Sequence, residues 1–336
     1  MSADPSAWII HSPLDMHLHL RQGAMLNTVA PSSAELFAGA VIMPNLVPPV
    51  TTLDMVLRYR HEILSAAGRS DFAPLMTLFF RGYSRDELIR ARDHIVGIKL
   101  YPEGITTNSS HGVRDIRDHH ATLRTMEELR IPLLVHGETH GFVMDREREF
   151  LGVYEQLANA YPDLMIVMEH ITSAEAVHLL DAHKNLFATV TLHHLLLTLD
   201  DMAGGLLNPH LFCKPILKRP EDRDALQCAV LGGHPKLSFG SDSAPHPVDK
   251  KECCGCAAGV FTAPVSLAMR AEFFDRHGQR NRLQGFVSDI ARRNYRIHPP
   301  AKQVALERIP WTIPDRIGSV VPFMAGHTLP WSAHIA

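Results

Sequence analysis

The histidines His17 and His19 stand two positions apart, directly after an apolar run near the start of the chain. On a β-strand, residues i and i+2 point to the same face, so both imidazoles would project together from the end of such a strand. Asp15 comes just before the pair and Arg21 just after it. Paired imidazoles favour a metal site, although in a chain with 22 histidines the pair alone could be a coincidence.

Polar side chains also stand at the ends of five later apolar runs. They are Asn45 in "MPN", Lys99 in "GIKLYP", His136 and Glu138 in "LLVHGE", Glu169 and His170 in "VMEHIT", and Asp242 and His246 in "FGSDSAPH". Imidazole and carboxylate ligands suit zinc and its neighbours in the first transition row. A protonated lysine would be repelled by divalent cations, so Lys99 fits only if it is neutralised, for instance carbamylated by carbon dioxide into an anion that bridges two metals. Two metals held in this way activate a shared water and polarise a carbonyl, which is hydrolytic chemistry.

Each of these residues also has a structural explanation. A single histidine at a strand end is more often a hydrogen-bonded structural residue than a metal ligand. Lys99 alone would more often be a salt-bridged lysine at the rim of a barrel, and Asp242 in "GSDSAP" could cap a helix or shape a turn. It is their joint occurrence at successive strand ends that favours the metal site.

The elements that would bring these residues together can be read from the apolar pattern. Eight short runs of β-branched and apolar residues alternate with helical stretches such as "TLDMVLRYRHEILSAAG" over about 250 residues, the usual length of a barrel. The runs are nearly continuous rather than alternating, which is typical of parallel strands covered on both faces. The pattern predicts an α/β fold, a (β/α)8 TIM barrel with its functional residues at the carboxyl ends of the strands. A doubly wound open sheet is the alternative, but no glycine-rich dinucleotide turn supports it.

Length and composition limit the domain organisation. With 336 residues, 46% of them hydrophobic, the chain suits one large domain or two small ones. No linker divides it, so we expect a single barrel domain over residues 1–336. The proline-rich tail from about residue 309 looks irregular, and we expect it to pack on the barrel.

Charge and cysteine usage indicate the partners and the compartment. A formal net charge of -3 without a Lys/Arg block argues against nucleic acid as a partner. No apolar run approaches the ~20 residues that a membrane span requires. The N-terminus lacks the basic and long apolar regions of a secretory signal, and an odd number of cysteines, five, makes no disulfide framework. We therefore expect a cytoplasmic protein with reduced thiols.

Six motifs together resemble a known family. "DMHLHLR", "MPN", "KLYP...TTNSSHGV", "VHGE", "EHIT" and "SDSAPH" match, in order and spacing, the dihydroorotases of the amidohydrolase superfamily. The match is closest to the shorter, monofunctional class and runs from about residue 10 to about residue 265. The resemblance implies an amidohydrolase-type barrel that acts on a small molecule with two zinc ions per subunit.

The resemblance also implies which residues hold the metals. The implied ligands are His17, His19 and Asp242 for the more buried zinc, and His136 and His170 for the second zinc. Lys99 falls on the lysine that carbon dioxide converts to N6-carboxylysine, whose carbamate bridges both ions together with a hydroxide.

Further residues match the substrate site of the family. Arg21, Asn45 and His246 fall on residues that hold the carboxylate of the substrate, a task that suits the planar fork of arginine. In a mobile loop, Thr106 and Thr107 would close over the substrate and exclude water. An ungapped match puts Ala258 where the backbone contacts the pyrimidine ring, whereas a one-residue gap would move that role to its neighbour Ala257.

The implied reaction is reversible and belongs to de novo pyrimidine biosynthesis: L-dihydroorotate and water give N-carbamoyl-L-aspartate. In hydrolysis, the resemblance implies that Asp242 accepts the proton of the attacking hydroxide and passes it to the departing nitrogen. In cyclisation the same carboxyl must begin protonated. We therefore expect low pH to favour cyclisation and higher pH to favour hydrolysis, and identical pH profiles in both directions would contradict this role.

The match weakens at a few positions. Lys214 stands where many bacterial members carry an apolar residue; its side chain could simply face solvent, or it could favour an anionic substrate. After about Gly285 the usual pattern of bacterial members is lost, which leaves the branch of the family open.

Two other clusters contain residue types that commonly bind metals. The cysteines of "CCGC", Cys253, Cys254 and Cys256, are crowded and have no second cysteine pair, which argues against a closed four-ligand zinc site. His193 and His194 match no ligand of the family, and we interpret them as structural.

Two alternative functions remain. The same metal set occurs in dihydropyrimidinase, allantoinase and phosphotriesterase-like hydrolases, but Arg21 with Asn45 and His246 specifies an acidic substituent on the ring. An inactive dihydroorotase-like scaffold subunit would be marked by lost ligands, and all six are present. By resemblance, we expect a homodimer.

Overall fold

The computed structural model describes residues 8–109 and 111–336. Residues 1–7 and residue 110 lie outside the described residues. The expectation of no secretory signal rests mostly on residues 1–7, so it falls outside the described residues as well. The strands of the described chain are β1 (Trp8–His11), β2 (Leu14–Leu18), β3 (Gly39–Ile42), β4 (Ala73–Phe79), β5 (Gly97–Leu100), β6 (Leu133–Val135), β7 (Ile166–Met168), β8 (Leu186–Val190), β9 (Leu237–Phe239), β10 (Gln303–Glu307), β11 (Trp311–Thr312), β12 (Thr328–Leu329) and β13 (Ser332–Ile335).

Within the described residues, β2 to β9 form one eight-stranded parallel sheet whose spatial order is the chain order. The first and last of these strands meet just beyond their ends, where Leu18 bridges Ser243 in parallel. The N–H of Asp242 donates to the carbonyl of His17 over 2.9 Å, and the N–H of His19 donates to the carbonyl of Ser243 over 3.1 Å. This closure confirms the predicted (β/α)8 barrel, and the open doubly wound alternative is wrong.

Helices follow the barrel strands and cover their outer face. The α-helices are Gly23–Leu36, Leu53–Ala67, Arg85–Ala91, His120–Leu129, Arg146–Ala160, Ala174–Ala182, Leu192–Leu196, Leu199–Ala203, Pro220–Gly232, Val248–Lys251, Ser266–Arg276, Arg280–Gln284 and Ile290–Tyr295, with a π-helical turn at Gly285–Asp289. Local chemistry sets their ends. The Thr52 hydroxyl accepts from the N–H of Met55 where the second helix begins, and Gly68 ends that helix in the left-handed conformation.

The barrel interior is apolar at one end and polar at the other. Leu14, Met16, Val41, Leu134 and Val167 belong to a fully buried cluster contributed by β2, β3, β6 and β7. Towards the carboxyl ends of β2, β5, β6, β7 and β9, the buried side chains become histidine, lysine and carboxylate. The apolar layers explain the continuous hydrophobic runs, and the fold leaves the polar residues at the mouth, where TIM barrels carry their sites.

The first apolar run and the C-terminal tail differ from expectation. The run "AWIIHSPLDMHLHL" is not one strand, because Ser12 adopts a left-handed φ of 44° and separates β1 from β2. β1 pairs antiparallel with β10, and β10 pairs with β13. The tail that was expected to be irregular therefore contributes strands, since its apolar residues Leu329 and Trp331 are buried.

The described helices are all too short or too polar to cross a bilayer.

Candidate metal and substrate site

Three side chains converge where β2 and β9 end. The Nε2 atoms of His17 and His19 are 3.2 Å apart. Asp242 Oδ1 lies 3.1 Å from Nε2 of His19 and 3.4 Å from Nε2 of His17. All three side chains are buried. Two imidazole nitrogens and a carboxylate oxygen at these separations form a donor set that fits a divalent transition-metal ion.

A second donor set lies at the ends of β6 and β7. Nδ1 of His136 is 3.1 Å from Nε2 of His170. The ring centres of His17 and His170 are 5.0 Å apart, so the two sets adjoin. Six residues predicted from separate strand ends are therefore brought to one place, with Lys99 of β5 among them.

Lys99 is fully buried, and its Nζ contacts a carboxylate oxygen of Glu169. Burial holds the pKa of this lysine well below its usual value. A neutral amine is the nucleophilic form that reacts with carbon dioxide. The environment of Lys99 therefore fits the carbamylation that the resemblance implies.

Two buried carboxylates that also stand at strand ends lie against the histidines, Glu138 in a hydrogen bond with His136 and Glu169 in an ionic contact with His17. Glu169 Oε1 lies 3.1 Å from Nδ1 of His17. Glu138 Oε2 lies 2.7 Å from Nε2 of His136. A carboxylate that accepts the ring N–H leaves the lone pair on the opposite nitrogen, which is how ligating histidines are fixed in metal sites. His136 would thus bind through Nδ1, and His17 presents Nε2 to the first donor set.

The protonation of the histidines suits metal binding. Burial lowers the pKa of His17, His19 and His170 below the usual value. Neutral imidazole is the form that ligates a metal. The site therefore presents lone pairs rather than N–H⁺ groups at neutral pH.

The backbone at the mouth is unusual at the residues that matter. Arg21, His170 and Asp242 all have positive φ, at 60°, 44° and 43°. Such conformations cost free energy in non-glycine residues and concentrate at functional sites. Asp15 supports this geometry, since its Oδ1 accepts from the N–H groups of His17 (3.1 Å) and Ser241 (2.7 Å), and burial raises its pKa to about 6.

Arg21 and His246 lie side by side next to the metal donors. Arg21 NH2 is 3.0 Å from Nε2 of His246, and Arg21 Nε donates to the carbonyl of Pro245 over 3.1 Å. Nε2 of His246 also lies 3.1 Å from the carbonyl of Ala258. Burial, followed by the charge of Arg21, lowers the pKa of His246 to about 3. The fixed charge of this part of the site therefore comes from Arg21.

A loop covers the mouth, and we call residues 102–109 the roof loop. Its Thr106 and Thr107 line the same small cavity as the metal donors, together with Asn45, Lys214 and Ala258. Asn45 Nδ2 donates to the carbonyl of Thr107 over 3.0 Å. The structure thus brings Thr106, Thr107 and Ala258 to the site, whereas Ala257 lines only an outer cavity.

Neither the histidine pair His193 and His194 nor the cysteines of "CCGC" form a metal site in the described chain. Nε2 of His194 donates to the carbonyl of Pro215 over 3.0 Å, and Nδ1 lies 2.8 Å from the Thr191 hydroxyl, so neither ring nitrogen is free for a metal. His193 and Cys213 lie close to His194. Because both ring nitrogens of His194 are hydrogen-bonded, only two of these three side chains could bind a metal ion. Cys253 and Cys254 are exposed, and the convergent donor groups in the described chain include no thiol of "CCGC".

A parallel eight-stranded barrel that gathers four histidines, a buried lysine and an aspartate at its mouth defines the class of metal-dependent amidohydrolases. No protein-family model matches the chain. It is 44% identical over 337 residues to a dihydroorotase of Helicobacter hepaticus, with 97% of this chain and 98% of the relative covered.

Two solved structures agree with this relative. The crystal structure of a dihydroorotase from Campylobacter jejuni is similar with a TM-score of 0.94 at 49% identity, covering 99% of each chain. A dihydroorotase of Saccharomyces cerevisiae, in complex with 5-fluoroorotic acid, is similar with a TM-score of 0.91 at 36% identity, covering 97% of this chain and 99% of that chain. The chain belongs to the dihydroorotase family.

Membership of the family confirms the resemblance seen in the motifs. The protein is a hydrolase of the cyclic-amide class, and its family depends on metal. The relatives do not favour the alternatives of a dihydropyrimidinase, an allantoinase or a scaffold subunit.

Proposed function

We propose that the protein catalyses the reversible conversion of L-dihydroorotate and water into N-carbamoyl-L-aspartate, in de novo pyrimidine biosynthesis. The observation that carries the proposal is the position of Arg21, whose guanidinium lies against His246 in the cavity that the metal donors line. A fixed cation beside a hydrolytic centre suits a ring with an acidic substituent. The yeast relative bound to 5-fluoroorotic acid supports the same class of ligand.

The donor sets fit two zinc ions. His17, His19 and Asp242 would hold one ion, and His136 and His170 the other. The carbamate of Lys99, formed from carbon dioxide, would bridge them, which the burial and neutrality of its amine support. When bound, the two ions would activate a water molecule and polarise the amide carbonyl.

The protein's own residues would perform the remaining steps. Arg21 would make two parallel bonds to the substrate carboxylate, with Asn45 and His246 beside it. Asp242 contacts both histidines through Oδ1, which leaves Oδ2 to accept a proton in hydrolysis and to return it to the departing nitrogen. Thr106 and Thr107 would exclude water from above.

The setting of the enzyme is also part of the proposal. All five cysteines are free, which supports a reducing, cytoplasmic compartment. We propose a homodimer, which light scattering on the purified protein would test. We expect a small-molecule substrate and neither nucleic acid nor membrane as a partner.

The test is an assay of zinc-loaded protein with L-dihydroorotate, followed by the loss of ultraviolet absorbance. Dihydrouracil, which lacks the carboxylate, is the matched substrate. We expect turnover of dihydroorotate, little turnover of dihydrouracil, and loss of activity in Lys99→Ala. Arg21→Met should lower kcat/KM for dihydroorotate roughly 10²- to 10³-fold, the usual effect of unpairing a buried charged contact, and leave the dihydrouracil rate unchanged.

An equal loss with both substrates in Arg21→Met would contradict the carboxylate role of Arg21. No turnover of dihydroorotate by protein that holds its metal would contradict the proposed function itself.

A further inference from the structure

The roof loop separates two cavities. The inner cavity at the metal donors has a volume of about 20 Å³, whereas an outer cavity of about 640 Å³ lies on the other side of the loop. Four residues line both: Thr106, Thr107, Lys214 and Ala258. An inner cavity of this size holds little more than a water molecule, so a pyrimidine ring can enter only when the roof loop moves away from the mouth.

The roof loop has internal hydrogen bonds that engage its own backbone N–H groups. The Ser109 hydroxyl donates to the carbonyl of Thr106 over 2.7 Å and accepts from its N–H over 2.9 Å. The N–H of Gly104 donates to the carbonyl of Ser109 over 3.0 Å. Because these bonds lie within the loop, they do not hold it to the barrel.

Two side chains from other strand ends hold the loop down. On one side, Asn45 donates to the carbonyl of Thr107 over 3.0 Å, and Asn108 donates to the carbonyl of Asn45 over 3.0 Å. On the other side, Nζ of Lys214 donates to the carbonyl of Ile105 over 2.6 Å. Lys214 follows β8 and Asn45 follows β3, so the two contacts hold the loop from different parts of the mouth.

The backbone around Lys214 is itself held firmly. The carbonyl of Phe212 accepts from Nζ of Lys251 (3.0 Å) and from the N–H of Gly259 (2.9 Å). On the other flank, the carbonyl of Pro215 accepts from Nε2 of His194 over 3.0 Å. The backbone from which the Lys214 side chain extends is therefore fixed. The buried His194 contributes to this through its hydrogen bond to Pro215.

We propose that Lys214 is a positioning residue that latches the roof loop over the active site, and that this latch sets the equilibrium between the closed site and the site open to the outer cavity. The half-buried ammonium is directed to a loop carbonyl, which accounts for a lysine at this position better than either a solvent-facing side chain or a contact with the substrate. Charge-assisted bonds to backbone carbonyls are stronger than neutral ones, so a single latch can shift such an equilibrium roughly tenfold or more.

The inference rests on the proposed function for its kinetic part only. Because the latch holds the loop closed with and without a ligand, its loss should change the rates of ligand entry and exit more than the equilibrium between them. In Lys214→Met, which keeps the aliphatic stem and removes the donor, we expect the association rate constant of 5-fluoroorotic acid, the ligand of the yeast relative, to rise roughly tenfold in stopped flow, with the dissociation rate constant raised in parallel. Lys214→Arg, which restores a donor, should return both rate constants most of the way to those of the unaltered protein.

Hydrogen exchange of the substrate-free protein tests the latch directly. In Lys214→Met we expect the amides of residues 104–109 to exchange roughly tenfold faster than in the unaltered protein, with recovery in Lys214→Arg. Lys218→Met is the matched control, because Lys218 Nζ also donates to backbone carbonyls, those of Val143 and Met144, but in another loop. It should leave the exchange of residues 104–109 unchanged.

Unchanged exchange of the roof loop in Lys214→Met, or equal acceleration in Lys214→Met and Lys218→Met, would overturn the latch. Because exchange needs no substrate, it decides the latch even if the unaltered protein fails to turn over dihydroorotate. That failure would count against the proposed function alone.

Discussion

At the scale of single residues, burial prepares the site for metals. Desolvation disfavours the charged forms of His17, His170 and Lys99, so burial lowers the pKa of each. The hydrogen bond that Glu138 accepts from Nε2 of His136 then leaves the lone pair on Nδ1 of that ring. Binding of a cation therefore requires little rearrangement of protons, and removal of one orienting carboxylate should weaken it.

Glu138→Ala should lower zinc affinity at the second donor set 10- to 100-fold, the usual cost of losing a carboxylate that orients a ligating histidine. Glu138→Gln keeps an acceptor for the N–H of His136 and should lose less. Competition with a chromophoric chelator would measure both. Glu128→Ala is the control, because Glu128 is exposed and pairs with Arg85 far from the mouth. Equal affinity in Glu138→Ala and the control would contradict the orienting role.

The buried His194 predicts a pH dependence of stability in the metal-free protein. Burial lowers its pKa to about 4, whereas in the unfolded chain it stays near 6.5. As the pH falls below 6.5, His194 becomes protonated in the unfolded chain but stays neutral in the folded protein. The free energy of unfolding therefore decreases between pH 6.5 and 4. The contribution is on the order of 3 kcal/mol.

His194→Gln removes this titration and should flatten the decline of unfolding free energy over that interval. Urea unfolding at a series of pH values would measure the difference. Parallel declines in the two proteins would show that His194 takes up its proton in the folded state, contrary to the burial argument.

At the scale of elements, the turns after the strands aim the side chains. The crossing from β9 to the segment that carries Ala258 depends on Gly259, which has a φ of +150°. A Cβ at this position would meet the carbonyl oxygen of Ala244 at 2.3 Å. The segment is therefore pressed closely against the end of the barrel, and its backbone position depends on the absence of a side chain.

Gly259→Ala should reduce the free energy of unfolding by about 1–3 kcal/mol, because the backbone must take a strained conformation or move away from Ala244. Displacement of the adjacent Ala258 should also raise KM. Gly255→Ala in the same segment is the matched control, since a Cβ there meets nothing within 4 Å. Chemical denaturation and steady-state kinetics would measure both variants, and similar values for the two would refute the close-approach argument.

At the scale of the whole molecule, the two ends of the described chain meet. β1 lies beside β10, and β13 completes this small sheet. Trp331 is buried against Trp8 with ring centres 5.6 Å apart, and the guanidinium of Arg280 lies 5.1 Å from the centre of the Trp331 ring. We propose on this basis that the sheet and the barrel are one domain that unfolds together.

Trp331→Ala should cost about 3–5 kcal/mol, as truncation of buried aromatic residues commonly does. If the chain is one domain, the whole unfolding transition should move to a lower temperature as a single step. Calorimetry would measure this, with Ile335→Ala on the exposed end of β13 as the control. Two separate transitions in Trp331→Ala, with only one displaced, would mean that the small sheet is an independent unit.

Much of the fold and of the ligand set could be predicted from the sequence, because the relevant signals are local. Continuous apolar runs that alternate with helical stretches indicate parallel strands and crossovers whatever lies elsewhere in the chain. The polar residues that end those runs must then share one mouth, which is why His17, Lys99, His136 and Asp242 could be named before their distances were known. The break at Ser12 was missed, since nothing in the apolar run shows a change of sheet.

Other properties were decided only by the tertiary structure. The choice of Nδ1 in His136 depends on the carboxylate of Glu138, and the side chains of His17 and Glu169 come into contact only because the strands that carry them share one barrel. The bond from Lys214 to the carbonyl of Ile105 joins residues 109 positions apart. Hydrophobic patterning acts within a few residues and determines which elements form and which residues end them. Hydrogen bonds between different strand ends depend on how those elements close into a barrel. The sequence alone therefore determined which polar residues stand at the mouth, and the folded structure decided how their side chains are oriented and which residue contacts the loop above them.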